Sequence, residues 1–262
     1  MAKSRLTSTL ILALTSALGV WAFISPFFAA SVTPVAAMGM AHTDDAPLIF
    51  VLLLGLCLLV IVASLETRQI DAQLVAVLGI LLAINATLRL IPGPAGFSAI
   101  FFLPIVCGYV FGAEFGFLVG ALSLLLSSLI TSGVGPWLPF QMFAAGWTGM
   151  IAGWLPRAPR RPRVELAILA GWGVLSGFLY GAVMNLWFWP YLLTPGDTIS
   201  TWQPGTRVTE TLVRYAVFYV TTSLWWDAAR AFGNLILLLA TALPVMRLLR
   251  RFQARFRFSI LP

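Results

Sequence analysis

The chain has 262 residues, of which 60% are hydrophobic and only 10% charged. A water-soluble domain of that length needs more polar surface than this to cover itself, so a soluble fold is excluded and an integral membrane protein indicated. The formal charge of +7 comes almost wholly from arginines between apolar runs and at the C-terminus, which reads as a topological signal rather than a nucleic-acid or ligand site.

A bilayer core of about 30 Å takes about 20 apolar residues per helix. Runs of that kind, bounded by turn residues or charges, are Leu6 to Phe28, Leu48 to Leu65, Ala72 to Ile91, Ser98 to Phe111, Phe115 to Thr131, Leu138 to Leu155, Leu166 to Trp189 and Ala228 to Leu249. The fold class expected is therefore all-α, a polytopic transmembrane helical bundle. The fourth run is short, and the tight turn at Gly112-Ala-Glu114 makes the fourth and fifth a helical hairpin. Lys3 and Arg5 precede the first run, Arg157, Arg160, Arg161 and Arg163 follow the sixth, and Arg247 to Arg257 end the chain. Eight spans put all three groups in the cytoplasm, with both termini inside and Ser31 to Pro47 outside.

Two segments are ambiguous. The first run also has the layout of a secretory signal, with a small-residue end at Val35-Ala36-Ala37 and a mature start at Met38, although its apolar length favours a retained span. Val208 to Trp226 carries Glu210 and Arg214 in its first half. A ninth span there would push the arginine tail outside, so it reads as an amphipathic helix at the outer surface or partly inserted.

Small residues let helices approach closely where lipid supplies no hydrophobic force between them. Gly108, Gly112, Gly116 and Gly120 recur every four residues, as do Gly173, Gly177 and Gly181. These stripes predict tight packing, whereas Gly146, Gly149 and Gly153 could instead open room for a ligand. Ala72, Ala76, Gly79 and Ala83 keep one face of the third run small, to seat either another helix of the bundle or a partner.

Ionisable and amide groups at membrane depth are either paired or line a polar cavity. In the orientation above, Arg89, Gln141, Asn185, Asp227, Arg230 and Asn234 come from four runs and lie at one outer level. Trp137, Trp187, Trp189, Trp202, Trp225 and Trp226 are nearby, and together these residues describe an aromatic bowl with a few polar contacts. The tryptophans could equally form an interfacial belt. Asp227 and Arg230, three apart on a helix, could simply neutralise each other, leaving Arg89 or Asn234 as the better contact.

Other chemistry is missing. There is no Gly-x-x-x-x-Gly-Lys-Ser/Thr phosphate loop, no paired carboxylates and no His-Glu-x-x-His, so neither an enzyme nor a bound cofactor is expected. His42 has no second ligand at metal-binding spacing, although Asp44 and Asp45 follow it. Cys57 and Cys107, in separate apolar runs, read as buried thiols rather than a pair.

The glycine/proline/tryptophan turn Gly133-Val-Gly-Pro-Trp137 leading to Gln141, the Gly-rich helix pair before it and the Trp226-Asp227-Ala-Ala-Arg230-Ala-Phe-Gly-Asn234 segment after it carry a resemblance. From Asp71 to Arg251 the chain resembles the substrate-binding S component of energy-coupling factor (ECF) vitamin importers. The resemblance implies a six-helix core, residues 67–262, preceded by a two-helix extension, residues 1–66, that matches nothing in the family. It implies capture of a vitamin-like small molecule on the outer side, with the Gly135-Pro-Trp137 loop, Gln141, Asp227, Arg230 and Asn234 in the pocket. It also implies assembly with a transmembrane T subunit and two cytoplasmic ATPases. The family's Ala-x-x-x-Ala docking face is matched by Ala72 and Ala76. Among vitamins, the loop looks most like S components for cobalamin or related corrinoids. The competing readings are a stand-alone secondary transporter or channel, which needs polar groups through both leaflets, and a structural subunit without a ligand.

Impermeant labelling of single cysteines, with Cys57 and Cys107 replaced, tests the topology. Label at Val134 and none at Arg160 in sealed cells is expected; label at both sites overturns the span count.

Overall fold

The computed structural model describes residues 2–28, 41–66, 72–91, 93, 97–158, 160–192 and 199–257. Its helices are α1 (Ala2–Ile24), α2 (Ala46–Glu66), α3 (Ala72–Leu90), α4 (Phe102–Phe111), α5 (Ala113–Thr131), α6 (Leu138–Ala152), α7 (Pro162–Phe188), α8 (Val208–Thr222) and α9 (Leu224–Arg257). There is no strand among the described residues, and the architecture is the all-α polytopic bundle expected. The signal-like Val35 to Ala37 segment lies outside the described residues.

Of the expected spans, six are long and apolar enough to cross a membrane: α1, α2, α3, α5, α7 and α9. The fourth and sixth are shorter, α4 having 10 residues and α6 having 15. The reason lies in their surroundings. Phe102 to Val110 of α4 and most of α6 are buried inside the protein. A helix walled off from lipid by other helices escapes the length that hydrocarbon imposes.

The hairpin between α4 and α5 turns on Gly112 alone, whose φ of +112° excludes residues with a β-carbon. That turn lays the four-residue glycine stripe against α6. A β-carbon on Gly108 or Gly116 would run into the carbonyl of Gly149, and one on Gly120 into that of Ala145. In the other direction, Gly149 faces the Gly116 carbonyl and Gly153 the backbone of Ala113. The three helices therefore meet backbone to backbone. Gly146 is covered by the Phe117 ring, so the glycines of α6 close the bundle rather than open room for a ligand.

The N-terminal extension packs on this core. Trp147 Nε1 donates to Ser16 Oγ at 3.2 Å, Phe143 lies over Gly19, and Phe23 meets Phe140 edge-on at 5.0 Å. Cys57 and Cys107 are both buried and unpaired.

α8 is the amphipathic segment expected outside the spans. Phe218 is buried against Phe188 and Trp189, whereas Leu212, Val213 and Val220 are exposed. Only Ser223 separates it from α9, so the two form a sharp elbow.

Gly116→Ala is expected to lower the stability of the purified protein by at least about 1–3 kcal/mol, because the added methyl overpacks a backbone contact. Gly171→Ala, where a β-carbon meets nothing within 4 Å, should leave the melting temperature unchanged.

Candidate functional site

The polar residues of α7 and α9 do not share one level. Asn185 Nδ2 donates to Ser223 Oγ at 2.7 Å, and the Asp227 carboxylate lies on the bare backbone of Gly181. Arg230 pairs with Asp227 and donates to the Gly177 carbonyl at 3.2 Å, and Asn234 Nδ2 donates to the Gly173 carbonyl at 3.0 Å. The contacts follow the helix axes for about three turns, on the order of 16 Å. Side chains spaced three or four apart stack along a helix, which is why a set that looked like a ring is a seam. The α7 glycines make room for it.

A second polar seam joins α3 and α5. Asn85 Nδ2 donates to Ser123 Oγ at 2.8 Å and to the Ile100 carbonyl at 2.9 Å, and Arg89 donates to Ser127 Oγ at 2.8 Å. Between the two seams stands Tyr180, with the Arg230 guanidinium 5.1 Å above its ring and Phe101 edge-on at 4.6 Å. Among the described residues Arg89 forms no ion pair, whereas Arg230 pairs with Asp227.

Gln141 and Trp137 belong to the start of α6. The Leu138 amide donates to the Gly135 carbonyl at 2.9 Å, closing the Gly133–Trp137 turn, and the Trp137 indole folds back over Gly135. One turn on, the Gln141 amide donates to the Trp137 carbonyl at 3.0 Å. Trp187 meets the ring of Trp137 at 6.4 Å and that of Phe140 at 6.4 Å. Gln141 Oε1 and Trp187 Nε1 are both buried with no hydrogen-bond partner among the described residues. Buried polar atoms are rarely left so.

A groove of about 160 Å³ lies between α6 and α7, lined by Ala144, Thr148, Ser176, Tyr180 and Val183 among others. Gln141 stands one turn from Ala144, and Trp187 one turn from Val183, on the same helix faces. A second cavity of about 280 Å³ lies between the start of α2 and the Val134–Pro139 turn. Both fall below the about 300–1,000 Å³ usual for small-molecule sites.

The tryptophan wall needs correction. Trp187 and Trp189 are buried, but Trp225 and Trp226 are 78% and 58% exposed and point away from the bundle.

On α3, Ala76, Gly79 and Ala83 are exposed, and nothing lies within 4 Å of a β-carbon built on Gly79. The small-residue stripe is thus unoccupied by any helix of this bundle; the Ala72 side chain lies outside the described residues.

The opposite end holds a polar cluster that sequence reasoning missed. Glu165, 1% exposed, takes both Arg250 nitrogens at 2.7 and 3.0 Å, and the Tyr109 hydroxyl lies 3.0 Å from it. Arg157 Nε donates to the Tyr109 carbonyl at 3.1 Å. Arg250 belongs to a tail that reads as a topological signal, and nothing local marks it as the partner of a residue 85 positions earlier.

The fold defines a multi-pass helical membrane protein, with polar seams between its helices and aromatic rings gathered where α6 begins and α7 ends. Residues 73–242, more than half of the chain, match the family model "ECF transporter, substrate-specific component", and the chain belongs to that family. It is a substrate-specific subunit of an ECF transporter, which implies a small-molecule substrate and partners in the ECF module. No curated protein and no solved structure matches it. The match begins inside α3, leaving α1 and α2 outside it.

Glu165→Ala is expected to destabilise the fold by about 3 kcal/mol, the lower end for breaking a buried pair, since the Arg250 side chain is 35% exposed. Glu165→Leu combined with Arg250→Met should recover most of the loss in thermal melts.

Proposed function

We propose that the chain captures a vitamin-like micronutrient at the end of the bundle where α6 begins and α7 ends, and that this end faces outward. The reading rests on one observation above others: Gln141 Oε1, one turn from Trp137, and Trp187 Nε1, whose ring meets that of Trp137, are both buried without a hydrogen-bond partner among the described residues. A bound planar substrate would satisfy both, stacking on Trp137 and Trp187 while the amide and indole read its edge. Tyr180, which lines the groove, carries the Arg230 guanidinium over its ring, and Arg230 with Arg89 on α3 offers guanidiniums suited to a carboxylate or phosphate on the substrate. Asp227, Asn185 and Asn234 hold the α7–α9 seam that fixes Arg230 in place.

A corrinoid is the candidate suggested by the Gly135-Pro-Trp137 loop. The present cavities are too small for it, so its capture requires the α6 end to move away from α2 and α7. The exposed Ala76, Gly79 and Ala83 face of α3 is the docking surface for a transmembrane T subunit, whose helix could approach the backbone closely there. Two cytoplasmic ATPases then energise release, with both termini of this chain on their side. A free-standing channel is less well supported, because the polar cluster at the inner end is closed by the Glu165–Arg250 pair.

Coexpression with a T subunit and ATPases is the test. The wild-type chain should copurify with them and retain a vitamin from a defined panel. Gln141→Ala and Arg230→Ala should each weaken retention about 10-fold or more, with normal expression for Gln141→Ala and a lower melting temperature for Arg230→Ala, which leaves the buried Asp227 unpaired. Ala76→Leu with Ala83→Leu should abolish copurification while leaving retention intact. Unchanged retention in both pocket variants overturns the site, and an intact complex with both leucines overturns the docking face.

A further inference from the structure

The residue that closes the aromatic end comes from outside the family match. His42 lies in the turn before α2, with its side chain fully enclosed. Its ring sits 4.5 Å from Phe140, 4.9 Å from Tyr191 and 6.4 Å from Trp187. These are residues of the core, from the start of α6 and the end of α7. Nδ1 is held by the Asp45 carboxylate at 2.8 and 3.0 Å. The His42 carbonyl in turn accepts from the Ala46 amide at 2.9 Å, which starts α2.

Two features set this residue apart from ordinary packing. Its backbone is left-handed, with φ of +58°, a conformation that costs a residue with a β-carbon and recurs at ligand sites. Its Nε2 is buried with no hydrogen-bond partner among the described residues. With Nδ1–H donating to Asp45, Nε2 of the singly protonated ring carries a lone pair. In that tautomer an enclosed acceptor belongs to the same aromatic cluster as the Trp187 N–H, which has no hydrogen-bond partner among the described residues; the two rings lie 6.4 Å apart and within 21° of parallel.

We propose that His42 is a substrate-contact residue supplied by the N-terminal extension, with Nε2 accepting from an N–H or O–H group of a planar ring substrate while Trp187 Nε1 donates to an acceptor on it. Asp45 is the positioning residue that fixes the imidazole. This rests on the capture-site reading above and adds the polarity of the substrate edge: a donor next to an acceptor on a flat ring system. The extension then determines specificity as well as closing the site.

His42 is the only histidine in the chain, so its imidazole can be read individually. The full chain, labelled with ¹⁵N-histidine and held in nanodiscs, is titrated with riboflavin, thiamine, folate and cobalamin, with binding followed by tryptophan fluorescence. The vitamin that quenches the tryptophans is expected to move the Nε2 resonance while Nδ1 stays nearly fixed. His42→Gln, which keeps a polar atom near the Nε2 position, should bind within about 3-fold of wild type, and His42→Phe, which keeps only the ring, about 10- to 100-fold more weakly. Quenching without an Nε2 shift overturns the contact in the wild-type protein itself, whatever the variants do. Tighter binding by His42→Ala also overturns it, since the imidazole would then be occupying the substrate's place. Absence of quenching by every vitamin in the panel overturns the capture site, and the role of His42 with it.

Discussion

Lipid offers apolar helices no reason to leave it for one another, so this bundle is held by what lipid cannot provide: direct backbone contact and hydrogen bonds between helices. Gly108, Gly116, Gly120, Gly149 and Gly153 bring α4, α5 and α6 to the closest approach that a peptide chain permits. Around that dense centre the remaining helices are attached by polar stitches, Asn85 and Arg89 on α5 and Asp227, Arg230 and Asn234 on α7. The same constraint places the polar groups. A side chain that would be costly in hydrocarbon is retained where a glycine opposite leaves its own backbone within reach.

Packing of this kind explains why two helices of the core can be short. α4 and α6 are buried along most of their length by the longer helices around them. The start of α6, with its glycine/proline turn, opens toward Trp187, Phe140 and His42.

Most of the fold was legible in the sequence, because length and apolar content of a run report directly on a helix in a bilayer. The Gly112 hairpin, the amphipathic character of Val208–Thr222 and the buried cysteines were readable for the same local reasons. The site was legible only in part. Trp137 and Gln141 stand where their turn suggested, but spacing along one helix cannot tell a ring at one depth from a line down an interface, and Asp227 to Asn234 form the line. Pairings between distant segments left no local trace. His42 with the α6 and α7 rings, and Glu165 with Arg250, join residues whose proximity is decided only by how the helices pack.

α7 and α9 are fastened at both extremities, by Asp227 and Arg230 against the glycines near one and by Arg250 on Glu165 near the other. Two rods clamped at each end can neither slide nor splay, so they behave as a single rigid strut. Whatever displacement admits a solute must then be taken up by the opposite wall, where the α6 turn meets the leading segment of the polypeptide.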